Sequence, residues 1–288
     1  MSSKNVAMLI IITLSLSFFN SCTEENPNVN NPEIPNENFA YPYSLNSFWY
    51  YSTFNYVTNF RPDSLRNIFL EDTISGNGIA RFVTDTSINS DTFRILRNTH
   101  SSEGHEHTSI ELFKQSDTGL IRYGYYSSGT NFGPFRLSPF FLSIGENARK
   151  FSSGFELLKW HENPSMLGDT TFVFDDPPVN VLKYPITDGL EWKYQDYGPT
   201  KINKCYDGFQ NVTTQAGSFY CARVKRKWYF NNSSSADTNF FQIDYFSESG
   251  MVKRDFIIKN VLVTNNTGVP LGYIDVVENA ELNIVTIP

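Results

Sequence analysis

The sequence lacks the short motifs that identify the common enzyme classes. It contains no G-x-S-x-G nucleophile elbow, no H-E-x-x-H zinc motif and no phosphate-binding P-loop. Histidine and cysteine are also scarce, with four and three residues among 288. Motifs therefore assign no reaction, and no cofactor is predicted.

Long hydrophobic runs are missing as well, with one exception near the N-terminus. Val6–Phe19 is almost uninterrupted and apolar, but a helix needs roughly 20 such residues to cross a bilayer. Lys4 precedes the run and the small residue Ser21 follows it. This length and these flanks are typical of a signal peptide, and we expect residues 1–21 to be one.

Basic residues are not in excess either. The chain has 23 Lys and Arg against 30 Asp and Glu, a net charge of −7. Loss of Met1–Ser21 would remove one lysine and make the charge −8. A mildly acidic surface disfavours nucleic acid and anionic membrane surfaces as partners, so no nucleic acid is expected to bind.

Cys22 is the most informative residue, because it directly follows the apolar run and Ser21. This order resembles a bacterial lipoprotein signal, which implies cleavage before Cys22 and attachment of acyl chains such as palmitate to it. The alternatives are an ordinary secretory signal and an uncleaved anchor. Asn20-Ser21-Cys22 resembles the looser signals of Bacteroidota, in which an acidic pair such as Glu24-Glu25 implies display on the outer face of the outer membrane. Two glutamates that merely solvate a tether are the alternative.

Residues 22–39 are predicted to form a lipidated, flexible tether. Thr23–Asn38 contains three prolines, six asparagines and no aromatic residue. Such a segment buries too little apolar surface to offset the entropy lost on ordering. The folded part should therefore be residues 40–288, held in the bacterial cell envelope by the lipid on Cys22.

Aromatic residues are abundant, with 25 Phe, 16 Tyr and 4 Trp. Many stand in runs that alternate apolar and polar positions, which is the pattern of half-buried strands. Asn77-Gly78, Asp188-Gly189 and Asp207-Gly208 predict turns between strands. We predict an all-β fold of antiparallel sheets that form a half-barrel or a sandwich. The ten predicted strands include Phe48–Tyr56, Gly78–Val83, Phe219–Phe230, Phe240–Phe246 and Met251–Ile258.

Two parts of the chain are similar to each other. Tyr41-Pro42 is followed by Trp49 and Tyr51, and Tyr184-Pro185 is followed at the same spacing by Trp192 and Tyr194. The strand start Gly119-Leu-Ile-Arg is likewise echoed by Gly250-Met-Val-Lys. The pattern predicts two related β units, residues 41–135 and 184–277. Chance matches in an aromatic-rich chain are the alternative.

The same residues resemble a group of uncharacterised exported β proteins common among Bacteroidota-type lipoproteins. The matching pattern is Tyr-Pro…Trp-x-Tyr, then Ala216-Gly217-Ser-Phe219, then Gly250-Met-Val, across residues 184–258. A weaker first copy lies at 41–51, where the glycine usually found before the tryptophan is absent. The resemblance implies a β-sheet or half-barrel domain and no assigned catalysis.

Cys205 and Cys221 remain once Cys22 is set aside. Export would place them in an oxidising compartment, where such a pair can bond. Turn residues at Asp207-Gly208 and Gln215-Ala216-Gly217 predict strands that meet across a loop. We expect a Cys205–Cys221 disulfide, with two separate buried thiols as the alternative.

His105 and His107 are candidate metal ligands. Alternate positions on one extended strand place both imidazoles on the same side, where they could meet zinc or copper. The alternative is an exposed loop tip near Ser101–Gly104 that collects polar residues without binding a ligand.

Trp49, Tyr51, Trp192 and Tyr194 are candidates to line a cavity that binds a hydrophobic or glycan ligand. Packing in the core is the alternative. The predicted function is a membrane-anchored, surface-exposed lipoprotein with a non-enzymatic, ligand-binding or envelope-structural role. The alternative is an envelope hydrolase acting on glycans or esters, whose site residues are too dispersed to recognise.

Overall fold

The computed structural model describes residues 40–69, 73–102, 105–127, 140–141, 150–151, 172–196, 198, 201–230, 232–265 and 269–288. The predicted signal peptide, Cys22 and the tether lie outside the described residues. The described residues all belong to one compact unit, Pro35–Pro288.

Strands account for most of the described residues, and one short 3-10 helix, η1 (Asp63–Ile68), follows the first strand. The strands are β1 (Phe48–Arg61), β2 (Thr73–Ile88), β3 (Asp91–Ser102), β4 (His105–Ser116), β5 (Gly119–Ser127), β6 (Phe140–Phe141), β7 (Lys150–Phe151), β8 (Phe172–Lys183), β9 (Glu191–Asp196), β10 (Lys201–Thr214), β11 (Gly217–Tyr229), β12 (Phe240–Ser247), β13 (Gly250–Thr264) and β14 (Pro270–Thr286). The predicted all-β class is confirmed.

Within the described residues, twelve of these strands form one antiparallel sheet, in the order β8-β5-β4-β3-β2-β1-β14-β13-β12-β11-β10-β9. The chain therefore makes two meanders of six strands, which meet where β1 pairs with β14. Strands β6 and β7 pair with each other and, within the ranges that the structure describes, with no other strand. The sheet curls into a nearly closed, barrel-like shape, with β8 and β9 as its edges.

Among the described residues, side chains of β9 and β10, rather than a strand ladder, connect this end of the sheet to β8. Trp192 Nε1 donates to Asn180 O at 2.9 Å, and Tyr206 Oη lies 2.5 Å from Lys183 O. Lys204 Nζ donates to Val181 O at 3.1 Å. These three contacts, called the seam below, satisfy backbone acceptors that an open sheet edge would leave to water.

Two apolar clusters fill the inside of the sheet. The first apolar cluster includes Tyr41, Trp49, Tyr51, Phe82, Leu96, Phe113, Leu120, Trp192, Tyr206, Val224, Phe246, Met251 and Val252. The second apolar cluster includes Val57, Phe60, Leu65, Tyr194, Ile202, Trp228, Phe256, Ile258, Ile274 and Val276. Because inward positions alternate along each strand, single strands contribute to both clusters.

One predicted turn was wrong and another is of a different kind. Asn77-Gly78 lies inside β2, opposite β1. Next to it, a Cβ on Gly76 would lie 2.9 Å from Thr53 Oγ1, so close packing accounts for that neighbouring glycine. Asp207-Gly208 marks a bulge within β10, whereas Asp188-Gly189 forms the predicted turn, with Gly189 at φ 78°.

A search for membrane-spanning helices among the described residues finds no candidate of sufficient length and hydrophobicity.

Candidate functional site

Buried charges lie inside the sheet, between the two apolar clusters. We call this group the polar belt. Its members Glu111, Arg122, Lys204, Arg226, Asp244, Arg254 and Glu278 are each at most 2% exposed, and the side chain of Asp175, which joins them, is 8% exposed.

The alternation of strand residues explains how charges come to lie inside. On β11, Arg226 shares the inward face with Val224 of the first apolar cluster and Trp228 of the second. On β10, Lys204 likewise lies between Ile202 and Tyr206. The belt therefore lies between the two clusters.

Asp244 is the centre of one ion-pair network. Its Oδ1 accepts from Arg254 Nε at 2.5 Å and from Gln242 Nε2 at 3.0 Å. Its Oδ2 accepts from Arg226 Nη2 at 3.3 Å. Burial alone would raise the pKa of Asp244, but Arg254 and Arg226 outweigh it and hold this pKa well below its usual range. Asp244 is therefore ionised at neutral pH.

Arg122 is the centre of a second network. Its Nε and Nη2 donate to the two carboxylate oxygens of Asp175 at 2.8 and 3.0 Å, and its Nη1 donates to Glu111 Oε1 at 3.3 Å. This paired geometry is the strong, bidentate form of an arginine–carboxylate contact. The bulged part of β8 at residues 175–178 brings the Asp175 carboxylate inward.

Lys204 has a less usual environment. It is 1% exposed, and its Nζ lies 4.0 Å from the centroid of the Tyr194 ring. No salt bridge to Lys204 is formed by the part of the chain that the structure describes. Burial, and then the charge of Arg226, lower the pKa of Lys204 well below its ordinary value, and Asp244 only partly offsets them.

Arg226 has unused donors. Its Nη2 bonds to Asp244, but its Nε and Nη1 are buried with no hydrogen-bond partner among the described residues. Leaving a buried donor unpaired costs about 1–3 kcal/mol. A ligand or water that accepted from them would remove this cost.

A cavity lies beside these donors. It has a volume of about 30 Å³, counted as the space open to the centres of water molecules, which is room for about two waters or a small ligand. Its polar wall consists of Glu111, Lys204, Arg226, Asp244 and Arg254. Its remaining wall is Tyr41, Phe82, Leu96, Phe113, Leu120, Val181, Tyr194 and Phe246.

The four candidate aromatic residues are all buried, but they have different environments. Trp49 Nε1 donates to Ser249 O at 2.6 Å and Tyr51 Oη to Met251 O at 2.8 Å. Both lie in the first apolar cluster, and Trp192 belongs to the seam. Of the four, Tyr194 lies in the cavity wall.

Cys205 and Cys221 are free, buried thiols in the structure, so the expected disulfide is not formed. They do lie on neighbouring strands, but Cys205 pairs with Lys225 and Cys221 with Gln210. Lys225 lies four positions after Cys221 along β11, which is roughly 13 Å. A disulfide requires Cα atoms less than about 7 Å apart. Burial raises the pKa of Cys221 to about 12.

His105 and His107 lie at the start of β4, where His107 pairs with His100 of β3. The side chains of residues 105–107 lie outside what the structure describes, so the metal site stays a prediction. Among the described side chains, no group of three or more His, Cys, Asp or Glu residues is arranged to hold a metal.

Sequence reasoning missed the polar belt, although a signal was present. Lys204, Arg226 and Arg254 each occupy the same alternating positions as large apolar residues of their strands. A charged residue at such a position lies either on a solvated face of the sheet or in the interior. Val224, Arg226 and Trp228 lie on the same face of β11, and the two apolar neighbours indicate that this face is buried.

No protein-family model matches the chain, and neither does any curated protein. Two crystal structures are similar to it: a predicted exported protein with a YmcC-like fold from Bacteroides fragilis, at 10% identity, and a predicted lipoprotein from Parabacteroides distasonis, at 11% identity. Each match covers 86% of this chain and 99% of the other, with a TM-score of 0.32. A score this low supports no inference about fold or function.

Proposed function

We propose that this protein is an exported lipoprotein, anchored in the cell envelope through Cys22, whose polar belt binds a small ligand without catalysis. The observation that carries the binding role is the pair of unused Arg226 donors beside a cavity inside the sheet. The sequence around Cys22 supports the anchor.

The strength of the proposed lipid anchor depends on the number of acyl chains attached to Cys22. One acyl chain holds a protein on a membrane only marginally, whereas two or more hold it firmly. Metabolic labelling with palmitate and membrane fractionation test it. We expect Cys22→Ser to lose both the label and the membrane association, and Cys221→Ser, which alters a buried thiol, to keep both. Labelling that persists in Cys22→Ser would refute the anchor.

Display on the outer face is proposed from Glu24-Glu25. Protease added to intact cells should digest the protein, and replacement of both glutamates by alanine should protect it while palmitate labelling continues. Protection of the unaltered protein in intact cells, with digestion after lysis, would place it on the inner face instead.

The polar belt supports a binding role because buried charges stabilise a core less than apolar side chains of similar volume do. Replacing buried ion pairs by apolar residues of similar volume is often neutral or stabilising. Here Lys204 lacks a described salt bridge and Arg226 has unpaired donors. A purely structural core would be better served by leucine at these positions, so a ligand is the better explanation.

The charges favour binding over hydrolysis. Glycoside hydrolysis needs one carboxylic acid that is protonated near neutral pH. Asp244 instead faces Arg254 and Arg226, which hold its pKa below the usual range despite its burial. Asp244 is therefore not suited to donate a proton.

Mass spectrometry of material extracted from the purified, full-length protein tests the binding role. We expect a bound small molecule that is lost in Arg226→Met and kept in Lys225→Met, the neighbouring residue on the outward face of β11. If no molecule is extracted, and no compound in a broad panel of metabolites, glycans and lipids raises the melting temperature, the binding role is refuted.

A further inference from the structure

We propose that the ligand is a small monocarboxylate, whose carboxylate lies between Lys204 and Arg226 and whose apolar part packs on the aromatic wall of the cavity. This inference rests on the binding role proposed above and names its ligand class.

The charges of the polar belt favour a ligand with a single negative charge. By formal charge, with Lys204 protonated, four cations balance four anions: Arg122, Lys204, Arg226 and Arg254 against Glu111, Asp175, Asp244 and Glu278. A monocarboxylate that binds together with one proton leaves the net charge of the belt unchanged, whereas a dianion such as phosphate would add uncompensated buried charge. Uncompensated charge in such an environment is strongly disfavoured.

The available donors match a carboxylate. Arg226 Nε and Nη1 are unpaired among the described residues. An ammonium group has three hydrogens, and Lys204 uses one of them on Val181 O. The remaining hydrogens of Lys204 and the two N–H groups of Arg226 can donate to carboxylate oxygens in charge-assisted hydrogen bonds.

The size and the other wall define the rest of the ligand. Phe82, Phe113 and Phe246 line the same cavity as the charged residues. The room, about that of two water molecules, suits formate or acetate, and propionate tests the upper limit of its size. The wall therefore matches a molecule with one charged end and at most a short apolar end.

Binding should also take up a proton. Lys204 is faced by Tyr194 on β9, Arg226 on β11, Asp244 on β12 and Arg254 on β13, with Arg122 of β5 nearby and Glu111 of β4 in the same cavity wall. The Asp244 carboxylate already forms salt bridges with both Arg226 and Arg254. The empty site thus lowers the pKa of Lys204, and an incoming carboxylate would raise it again, which draws a proton to the amine.

Isothermal titration calorimetry of the purified mature protein tests the inference. Sodium formate, acetate and propionate are the probes, and sodium chloride, sodium phosphate and acetamide are the controls. Titrations in two buffers with different ionisation enthalpies measure the protons taken up. We expect net proton uptake on carboxylate binding, and affinity that falls as pH rises, by at most about tenfold per pH unit.

Two variants locate the site. Lys204→Met should abolish the proton uptake and the pH dependence, and Arg226→Met should weaken acetate binding at least tenfold. Lys204→Gln is a second variant in case the methionine variant does not fold. Lys225→Met should behave as the unaltered protein does.

The outcomes separate this inference from the binding role. If carboxylates bind without proton uptake, or equally well to Lys204→Gln and Arg226→Met, the inference is overturned. If no carboxylate binds but a molecule of another class is extracted from the protein and lost in Arg226→Met, only the ligand class is overturned. If nothing is extracted and no probe binds, both proposals fail.

Discussion

Replacing Asp244 by asparagine tests whether the polar belt is a network of buried charges. Asp244 is 0% exposed, and its two oxygens accept from both Arg226 and Arg254. Asparagine keeps the size of the side chain but removes its charge. Two buried guanidinium groups would then lose their shared counter-charge.

The expected loss is large. Removal of one partner of a buried ion pair costs about 3–5 kcal/mol, and whole domains are stable by only about 5–15 kcal/mol. Asp207 provides the matched control, because its salt bridge with Arg223 is partly exposed, with side chains 38% and 30% exposed. Exposed pairs contribute about 0–1 kcal/mol, so Asp207→Asn should change stability little.

Urea denaturation measures the difference. We expect Asp244→Asn to lower the midpoint by roughly 1–2 M for a slope of about 2–3 kcal/mol/M, without a change in slope. The triple variant Asp244→Leu, Arg226→Met, Arg254→Met should recover much of the loss, since it removes all three charges together. A loss in Asp244→Asn no greater than that in Asp207→Asn would refute the reasoning, because it would mean that these charges are solvated.

The dependence of stability on pH in the acid range is an independent test of the same network. Folding lowers the pKa of Asp244, so its contribution to stability is full well above the unfolded value of about 3.9 and is lost as pH falls below that value. The unaltered protein should therefore lose stability between about pH 5 and pH 2 more steeply than Asp244→Asn does. Parallel pH profiles of the two proteins would contradict this expectation.

Three further predictions concern other parts of the structure. Lys204→Met should raise the melting temperature at pH 7, because folding lowers the pKa of Lys204. Its advantage should shrink as pH rises towards about 10, where the unfolded amine also begins to lose its proton; a lower melting temperature at pH 7 would contradict this. Gly250→Ala should cost about 2–4 kcal/mol, because Gly250 has φ 101° and a Cβ there would lie 2.5 Å from Trp49 Nε1; urea denaturation that shows no loss would refute the contact. Cys221 should resist iodoacetamide in the native protein at pH 8 and react after unfolding, because burial raises its pKa to about 12; rapid native labelling, followed by mass spectrometry, would show that it is accessible.

The fold class could be predicted because strands leave a local signal. The alternation in Phe219–Phe230 and Phe240–Phe246 corresponds closely to β11 and β12. The closure of the sheet could not be predicted, because it depends on contacts such as Trp192 Nε1 to Asn180 O. No local pattern reports which edges of a sheet will meet.

The expected disulfide and the misplaced turn have a common physical cause. Both depended on where a hairpin turns, and a register error moves every partner along the strand. Cys205 and Cys221 lie on paired strands but at different levels. Asn77-Gly78 has turn-forming residues, yet it lies within β2. In both cases tertiary packing determines the register and the position of the turn, which the local sequence does not specify.

The two meanders give the repeated motif a physical role that the sequence did not reveal. Trp49 of the first meander donates to Ser249 O and packs against Gly250 of the second. Trp192 of the second meander donates to Asn180 of the first. Each tryptophan thus joins one meander to the other, and the halves enclose charges from both: Glu111 and Arg122 from the first, Arg226 and Asp244 from the second. A duplicated origin stays a prediction, but the enclosed polar belt depends on the pairing of both meanders, because neither contains all of its charges. The interior site therefore depends on closure of the whole sheet, and for that reason it could not be predicted from any single segment of the sequence.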